Sequence, residues 1–228
     1  NDVDLPLEIG VTQSRAIDHA GQMDIYRFTV TEAGRIYFDA VTNNAGLYWS
    51  LSGPRGAVVT GRQFVGSDSV DLGGAVGMDL AAGEYTLTVD AAGAWVLPYQ
   101  FRLLDLNQAL PLPLNQVTSG TLSPANETEV YRFDATAGEQ FFFDVTAITG
   151  SYYWRLLDPY GRVVFGPSNV NSTGDNVEVF KTNYTGTYTL LVEGRVSTGG
   201  TTTYAFQPQR VINEVDLPLI IGQTQSGN

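Results

Sequence analysis

Carboxylates, one histidine and two tyrosine–tryptophan pairs are the side chains of this sequence that could do chemistry. Asp68 and Asp71 lie in Gly66-Ser67-Asp68-Ser69-Val70-Asp71, and Asp175 and Glu178 in Thr173-Gly174-Asp175-Asn176-Val177-Glu178, at matching places in the two halves. Ca2+ takes about six to eight oxygen ligands, so close carboxylates on a loop are the start of a site. Ca2+ is therefore the one cofactor these residues point to, the alternative being solvated acids at strand edges. No dense Asp-x-Asp-x-Asp-Gly run accompanies them. His19 is the single histidine, in the turn-like run Asp18-His19-Ala20-Gly21, and there is no cysteine. A hydrolase triad needs a histidine beside an activated serine and a carboxylate, and zinc or iron needs several nitrogen or sulfur ligands. No catalytic residue is assigned, and an enzyme is not expected. Tyr48-Trp49 and Tyr153-Trp154 could stack on sugar rings. Trp49 and Trp154, however, fall in phase with Leu51 and Leu156, which assigns them to a core. That leaves Tyr48 and Tyr153 as the exposed ligand candidates. An isopeptide cross-link between lysine and asparagine is excluded as a general device, because Lys181 is the only lysine.

These residues sit on short segments with period two, separated by turn signals about every 8–12 residues, the pattern of a sandwich or barrel. Leu5–Thr12 reads as an extended first or edge strand beside a proline. In Asp24–Val30, Tyr26, Phe28 and Val30 share one face and Ile25, Arg27 and Thr29 the other. Ile36, Phe38 and Ala40 alternate with Tyr37, Asp39 and Val41, and the turn at Gly34 predicts a hairpin between the two strands. By the same alternation Asp39, and Asp144 in the second half, are expected to point to water. Gly53-Pro54-Arg55-Gly56 and Asp158-Pro159-Tyr160-Gly161 are turns. No segment sustains a helical period. The expected build is all-β: two tandem jelly-roll-like antiparallel sandwiches of about eight strands each.

Self-similarity organises the chain. Residues 1–14 return at 213–226 with 11 of 14 positions identical. A more diverged period of about half that length relates Tyr26-Arg27-Phe28 to Tyr131-Arg132-Phe133, Tyr48-Trp49 to Tyr153-Trp154, and Gly83-Glu84-Tyr85-Thr86-Leu87 to Gly186-Thr187-Tyr188-Thr189-Leu190. The expected division is unit A at 1–106, unit B at 107–212 and the first strand of another unit A at 213–228. The sequence thus reads as part of a longer array of alternating unlike units.

Composition bounds the role. Of 228 residues, 24 are acidic and 12 basic, giving a net charge of −12. Such a surface repels phosphate backbones, so nucleic acid is not an expected partner. No stretch approaches the roughly 20 apolar residues of a membrane span. No basic-then-apolar leader opens the sequence, so an export signal is expected outside it.

The layout Asp24-Ile25-Tyr26-Arg27-Phe28, Gly34, Leu51-Ser52-Gly53-Pro54-Arg55-Gly56 and Gly83-Glu84-Tyr85-Thr86-Leu87 resembles that of bacterial pre-peptidase C-terminal domains. Unit B carries Glu129-Val130-Tyr131-Arg132-Phe133, Gly138 and Leu156-Leu157-Asp158-Pro159-Tyr160-Gly161 at the matching places, with Glu129 replacing Asp24. The resemblance implies a secreted, non-catalytic jelly-roll-like sandwich, in a family where some members bind Ca2+ and assist in binding substrate or matrix. The expected function is a structural or adhesive module of a large extracellular or cell-surface protein, as stalk, filament or biofilm matrix component. The alternative is a carbohydrate- or protein-binding accessory module of a secreted hydrolase. Expected partners are neighbouring repeats, copies of the chain itself, and a polysaccharide or matrix. Asp4, Leu5, Pro6 and Leu7, with Asp216, Leu217, Pro218 and Leu219, are the expected inter-module or assembly residues, because an extended edge carries unpaired backbone groups.

Overall fold

The computed structural model describes residues 3–68 and 76–212. The N-terminal half carries β1 (Val3–Pro6), β2 (Gln13–Ile17), β3 (Met23–Val30), β4 (Gly34–Ala40), β5 (Leu47–Gly53), β6 (Gly56–Gln63), β7 (Met78–Leu80), β8 (Gly83–Ala91) and β9 (Leu97–Asp105). The second half repeats them as β10 (Leu110–Pro111), β11 (Thr118–Leu122), β12 (Thr128–Ala135), β13 (Gln140–Thr149), β14 (Tyr152–Leu157), β15 (Val163–Val170), β16 (Val177–Lys181), β17 (Gly186–Gly194) and β18 (Thr202–Val211).

In each half one sheet runs β1-β3-β8-β5-β6 or β10-β12-β17-β14-β15, and the other β2-β9-β4-β7 or β11-β18-β13-β16. Without the first strand, that order is the double Greek key of a jelly roll. Two details depart from the sequence expectation. β3 and β4 do not form a hairpin: β3 pairs β8 and β4 pairs β9, so the chain crosses between sheets at Gly34. A turn glycine serves either route, and the long-range partners decide. β1 and β10 add to their sheets in parallel rather than antiparallel, at the edge beside β3 and β12.

Each half encloses its own aromatic core. Trp49 is fully buried, stacks on Phe38 at 4.0 Å and donates from Nε1 to Ser67 Oγ at 2.7 Å. Trp154 is equally buried, edge-on to Phe206 at 5.8 Å. A tyrosine pair closes both cores at one place: Tyr26 OH to Tyr99 OH and Tyr131 OH to Tyr204 OH, each 2.7 Å.

The third apolar cluster lies between the halves. Tyr37 on β4 and Leu104 on β9 face Val130, Leu157 and Leu191 on β12, β14 and β17, with Leu106 and Ala109 of the connection between them. The second sheet of unit A therefore packs on the first sheet of unit B, making four stacked layers. β4 is buried along nearly its whole length because one face lines the unit A core and the other lines this contact. The connection is packed in place: Asp105 caps the 3-10 turn Leu106–Gln108 through the Asn107 N–H at 2.9 Å.

Candidate functional site at the contact between the sandwiches

The contact is apolar at its centre and ionic at one side. Arg155 on β14 projects away from the unit B core and holds Glu193 of β17 with two hydrogen bonds, one from Nε to Oε2 at 2.6 Å and one from Nη2 to Oε1. Tyr37 OH crosses from unit A to donate to Glu193 Oε1 at 2.7 Å. Arg155 is 2% and Glu193 1% exposed, so the pair is out of water. A pair so placed is held by geometry and full hydrogen bonding rather than by Coulomb attraction alone. On unit A, Arg102 of β9 donates to Asp39 Oδ2 at 2.5 Å and to Thr128 O of unit B at 2.6 Å. The Thr128 N–H returns a bond to Asp39 Oδ2 at 3.3 Å, and Asn126 Nδ2 donates to Val41 O at 2.7 Å.

Asp39 is thus fully buried, which corrects the expectation that it points to water. Its face looks outward from unit A, but outward there means toward unit B. Asp144, its sister on β13, is half-buried. Asp39 Oδ1 is buried and has no hydrogen-bond partner among the described residues. The group beside it is Asp68, whose carboxylate also accepts from the Ala40 N–H. Burial, and then the negative charge of Asp39, push the Asp68 carboxyl well above the usual carboxylate range. Three carboxyls (Asp39, Asp68, Glu193) thus face two guanidinium groups (Arg102, Arg155) in the buried contact. Glu129 lies at the rim, 3.9 Å from Arg102.

Unit B has a neutral version of the same joint. Ala40 pairs with Phe101, and Val145 pairs with Phe206 at the sister place; the Val145 N–H is bound by Asn176 Oδ1 at 2.7 Å. The structural counterpart of Asp68 is therefore Asn176, not Asp175 as the sequence alignment has it. Asp175 instead accepts the N–H groups of Asn171 and Ser172, each at 2.9 Å, and caps its own loop. Glu178 is exposed on β16, and Asp71 lies outside the described residues. Among the described residues no group of three or more histidine, cysteine, aspartate or glutamate side chains stands ready for a metal ion.

The ligand candidates lie apart from this contact. Tyr48 is half-buried on β5 with its OH on Gln63 Nε2 at 3.1 Å, and Tyr153 lies 5.5 Å beneath the Arg195 guanidinium. Of the assembly residues, Asp4 pairs with Arg27 while Leu5 and Leu7 reach the unit A core; Asp216, Leu217, Pro218 and Leu219 lie outside the described residues. His19 is exposed in the loop before β3.

Sequence reasoning missed Arg155, Glu193, Tyr37 and Arg102. A signal existed: their sisters in the other unit are Ser50, Asp90, Phe142 and Gln207, so the units differ most where they meet. The unbroken run Leu190-Leu191-Val192 likewise marks a strand buried on both faces.

No protein-family model matches the chain, and no curated protein sequence does. Among solved structures, the periplasmic g-type lysozyme inhibitor PliG of Aeromonas hydrophila is 13% identical, with a TM-score of 0.35, over 44% of this chain and 96% of its own. The CUB1-EGF-CUB2 domains of rat MASP-1 are 10% identical, with a TM-score of 0.29, over 91% of this chain and all of that one. Those of human MASP-1/3 are 8% identical, with a TM-score of 0.27, over 86% of this chain and 99% of that one. The fold assignment rests on the strand order above.

Proposed function

We propose that the chain is a non-catalytic structural module of an extracellular or cell-surface repeat protein, a stiff spacer or matrix component. The observation that carries this reading is the A–B contact, where a packed connection and a buried ionic network leave no free linker between sandwiches. Flexible linkers let domains tumble, whereas packed ones transmit orientation. The acidic surface, the absence of cysteine, the alternating repeat and the resemblance to pre-peptidase C-terminal domains support an extracellular setting.

An accessory binding role is the second reading, and Trp95 favours it. Trp95 is 56% exposed and its ring lies over Gly46, where an added Cβ would sit 2.4 Å from it, in the turn just before the strand that carries Tyr48. An exposed indole near a tyrosine and the Gln63 amide is chemistry suited to a sugar. Deleting the gene from the source organism separates the two. The spacer reading expects loss of cell attachment or matrix cohesion with secreted hydrolase activity unchanged. Intact cohesion with impaired hydrolysis of a polysaccharide would reject it in favour of the accessory role.

A further inference from the structure

The outer face of the first sheet is built in opposite ways in the two units. In unit B, β14 and β17 carry Arg155, Leu157, Leu191 and Glu193 there, all buried against unit A. In unit A the sister places on β5 and β8 are Ser50, Ser52, Thr88 and Asp90, none of them buried. Nor does unit B supply the other side of such a contact, since Phe142, Gln207 and Gln209 replace Tyr37, Arg102 and Leu104. The unit A face is not built to receive a second sheet. One end of it nevertheless holds a large apolar ring. Trp95 Cε3 and Cζ3 lie 2.4 Å from where a Cβ on Gly46 would sit, so glycine at 46 lets the indole rest on the backbone. Gly46 O accepts the Ala92 N–H at 2.8 Å, which extends the β5–β8 ladder to the turn that bears Trp95. The sister of Trp95 is Gly200, so the sandwich does not need the ring.

An indole held on one side and open on the other is a stacking surface for the C–H face of a sugar ring. Groups that hydrogen-bond hydroxyls continue from it along the sheet. Gln63 Nε2 holds the Tyr48 OH at 3.1 Å, and Ser50 Oγ accepts the Gly61 N–H at 2.9 Å while keeping its own proton to donate. Thr88 and Asp90 line the neighbouring strand. From Gly46 to Ser52 this strip is about 20 Å long, at roughly 3.4 Å per residue. Beyond Ser52 it opens into a cleft of about 360 Å3 lined by Arg27, Thr29, Glu84 and Thr86. The strip is longer than one sugar ring, which suits a chain rather than a monosaccharide. Charge narrows the class further. Asp90 and Glu84 stand on the strip, Arg27 is already paired with Asp4, and the net charge is −12, so a polyanion is repelled. We propose that an uncharged polysaccharide lies along β5 and β8 of unit A, one ring stacked on Trp95 and its hydroxyls held by Ser50 and Thr88. The assignment rests on the accessory binding role of Trp95 and leaves the spacer reading standing, because a matrix component can also hold its polysaccharide.

Native gel electrophoresis of the 228-residue chain through soluble polysaccharides tests it. Uncharged hydroxyethylcellulose, galactomannan and dextran are compared with the polyanions alginate and heparin. The expected result is retardation by at least one uncharged polymer and by neither polyanion. Trp95→Ala should raise the apparent dissociation constant at least about tenfold, and Ser50→Ala with Thr88→Val several-fold. Tyr160→Ala, which removes an exposed ring of unit B, should change nothing. Because Gly200 stands at the sister place, Trp95→Ala is expected to keep the native circular dichroism of the unaltered chain. Retardation by a polyanion, or binding that the substitutions at 50 and 88 leave untouched, would overturn this assignment while keeping the binding role of Trp95. Retardation that survives Trp95→Ala, or by no polymer at all, would overturn both.

Discussion

Replacing Arg155 by methionine is expected to cost about 3–5 kcal/mol, the usual penalty for stranding a buried partner charge. Glu193, 1% exposed, would keep only the Tyr37 hydroxyl and would have to take up a proton or admit water. For a chain of this size that loss lowers the melting temperature by roughly 6–20 °C. The partner variant Arg155→Met with Glu193→Leu removes both charges and extends the apolar cluster of Leu157, Leu191 and Tyr37. It is expected to recover most of the loss, because buried ion pairs are often replaceable by apolar groups of similar size. Calorimetry of the single and double variants distinguishes a stranded charge, which the second substitution repairs, from lost packing, which it does not. Unit A shows that the sandwich fold itself does not require the pair, since Ser50 and Asp90 occupy the same places on β5 and β8.

Stability should fall as pH rises through the Asp68 titration, and Asp68→Asn should abolish that fall. Burial, reinforced by Asp39, raises the Asp68 carboxyl well above its ordinary value, so the folded chain binds this proton more tightly than the unfolded chain. Its contribution is complete in acid, below the ordinary carboxylate range. It is lost as pH climbs through the raised value, when a third carboxylate, unmatched by a guanidinium, would enter the contact. Asp39 and Glu193 are also raised by burial, with Arg102 and Arg155 acting in the opposite direction, and Glu127 and Glu129 face Arg102 from unit B. Asp175 works in the other direction, held low chiefly by the Asn171 N–H, so it titrates in more acidic solution than Asp68. Asparagine at 68 keeps the acceptor for the Ala40 N–H and offers its own N–H to Asp39 Oδ1, as Asn176 does for Val145 in unit B. The expected outcome of urea titrations is parity between Asp68→Asn and the unaltered chain near pH 5, with the variant the more stable near pH 9. A variant weaker at every pH would show that Asp68 acts as a carboxylate, for instance toward a cation.

Much of the fold was legible because its signals are local. Tyr26, Phe28 and Val30 alternate in β3 as expected, and Trp49 and Trp154 fill the cores their phase with Leu51 and Leu156 assigned them. The crossing of β3 and β4 between sheets was not legible, since Gly34 turns the chain equally well within one sheet or between two. The contact was hidden for a related reason. Period two separates the core face of β4 from its other face, but it says nothing about whether that other face meets water or a second sandwich. Asp39 therefore read as solvated, and only Thr128 and Arg102, far away in sequence, bury it. Asp68 was picked out for its charge, while its place in the fold is that of a hydrogen-bonding amide.

The central claim is that the two sandwiches form one rigid block, and the distance across that block measures it. The chain has no cysteine, so spin labels at Thr60→Cys on β6 and Val179→Cys on β16, both exposed, report on the two halves without interference. Electron double resonance should give one narrow distance distribution for the otherwise unaltered chain and a broadened one once Arg155→Met is added. A broad or many-peaked distribution in the unaltered chain would mean that the halves move independently, and the four-layer account would be wrong.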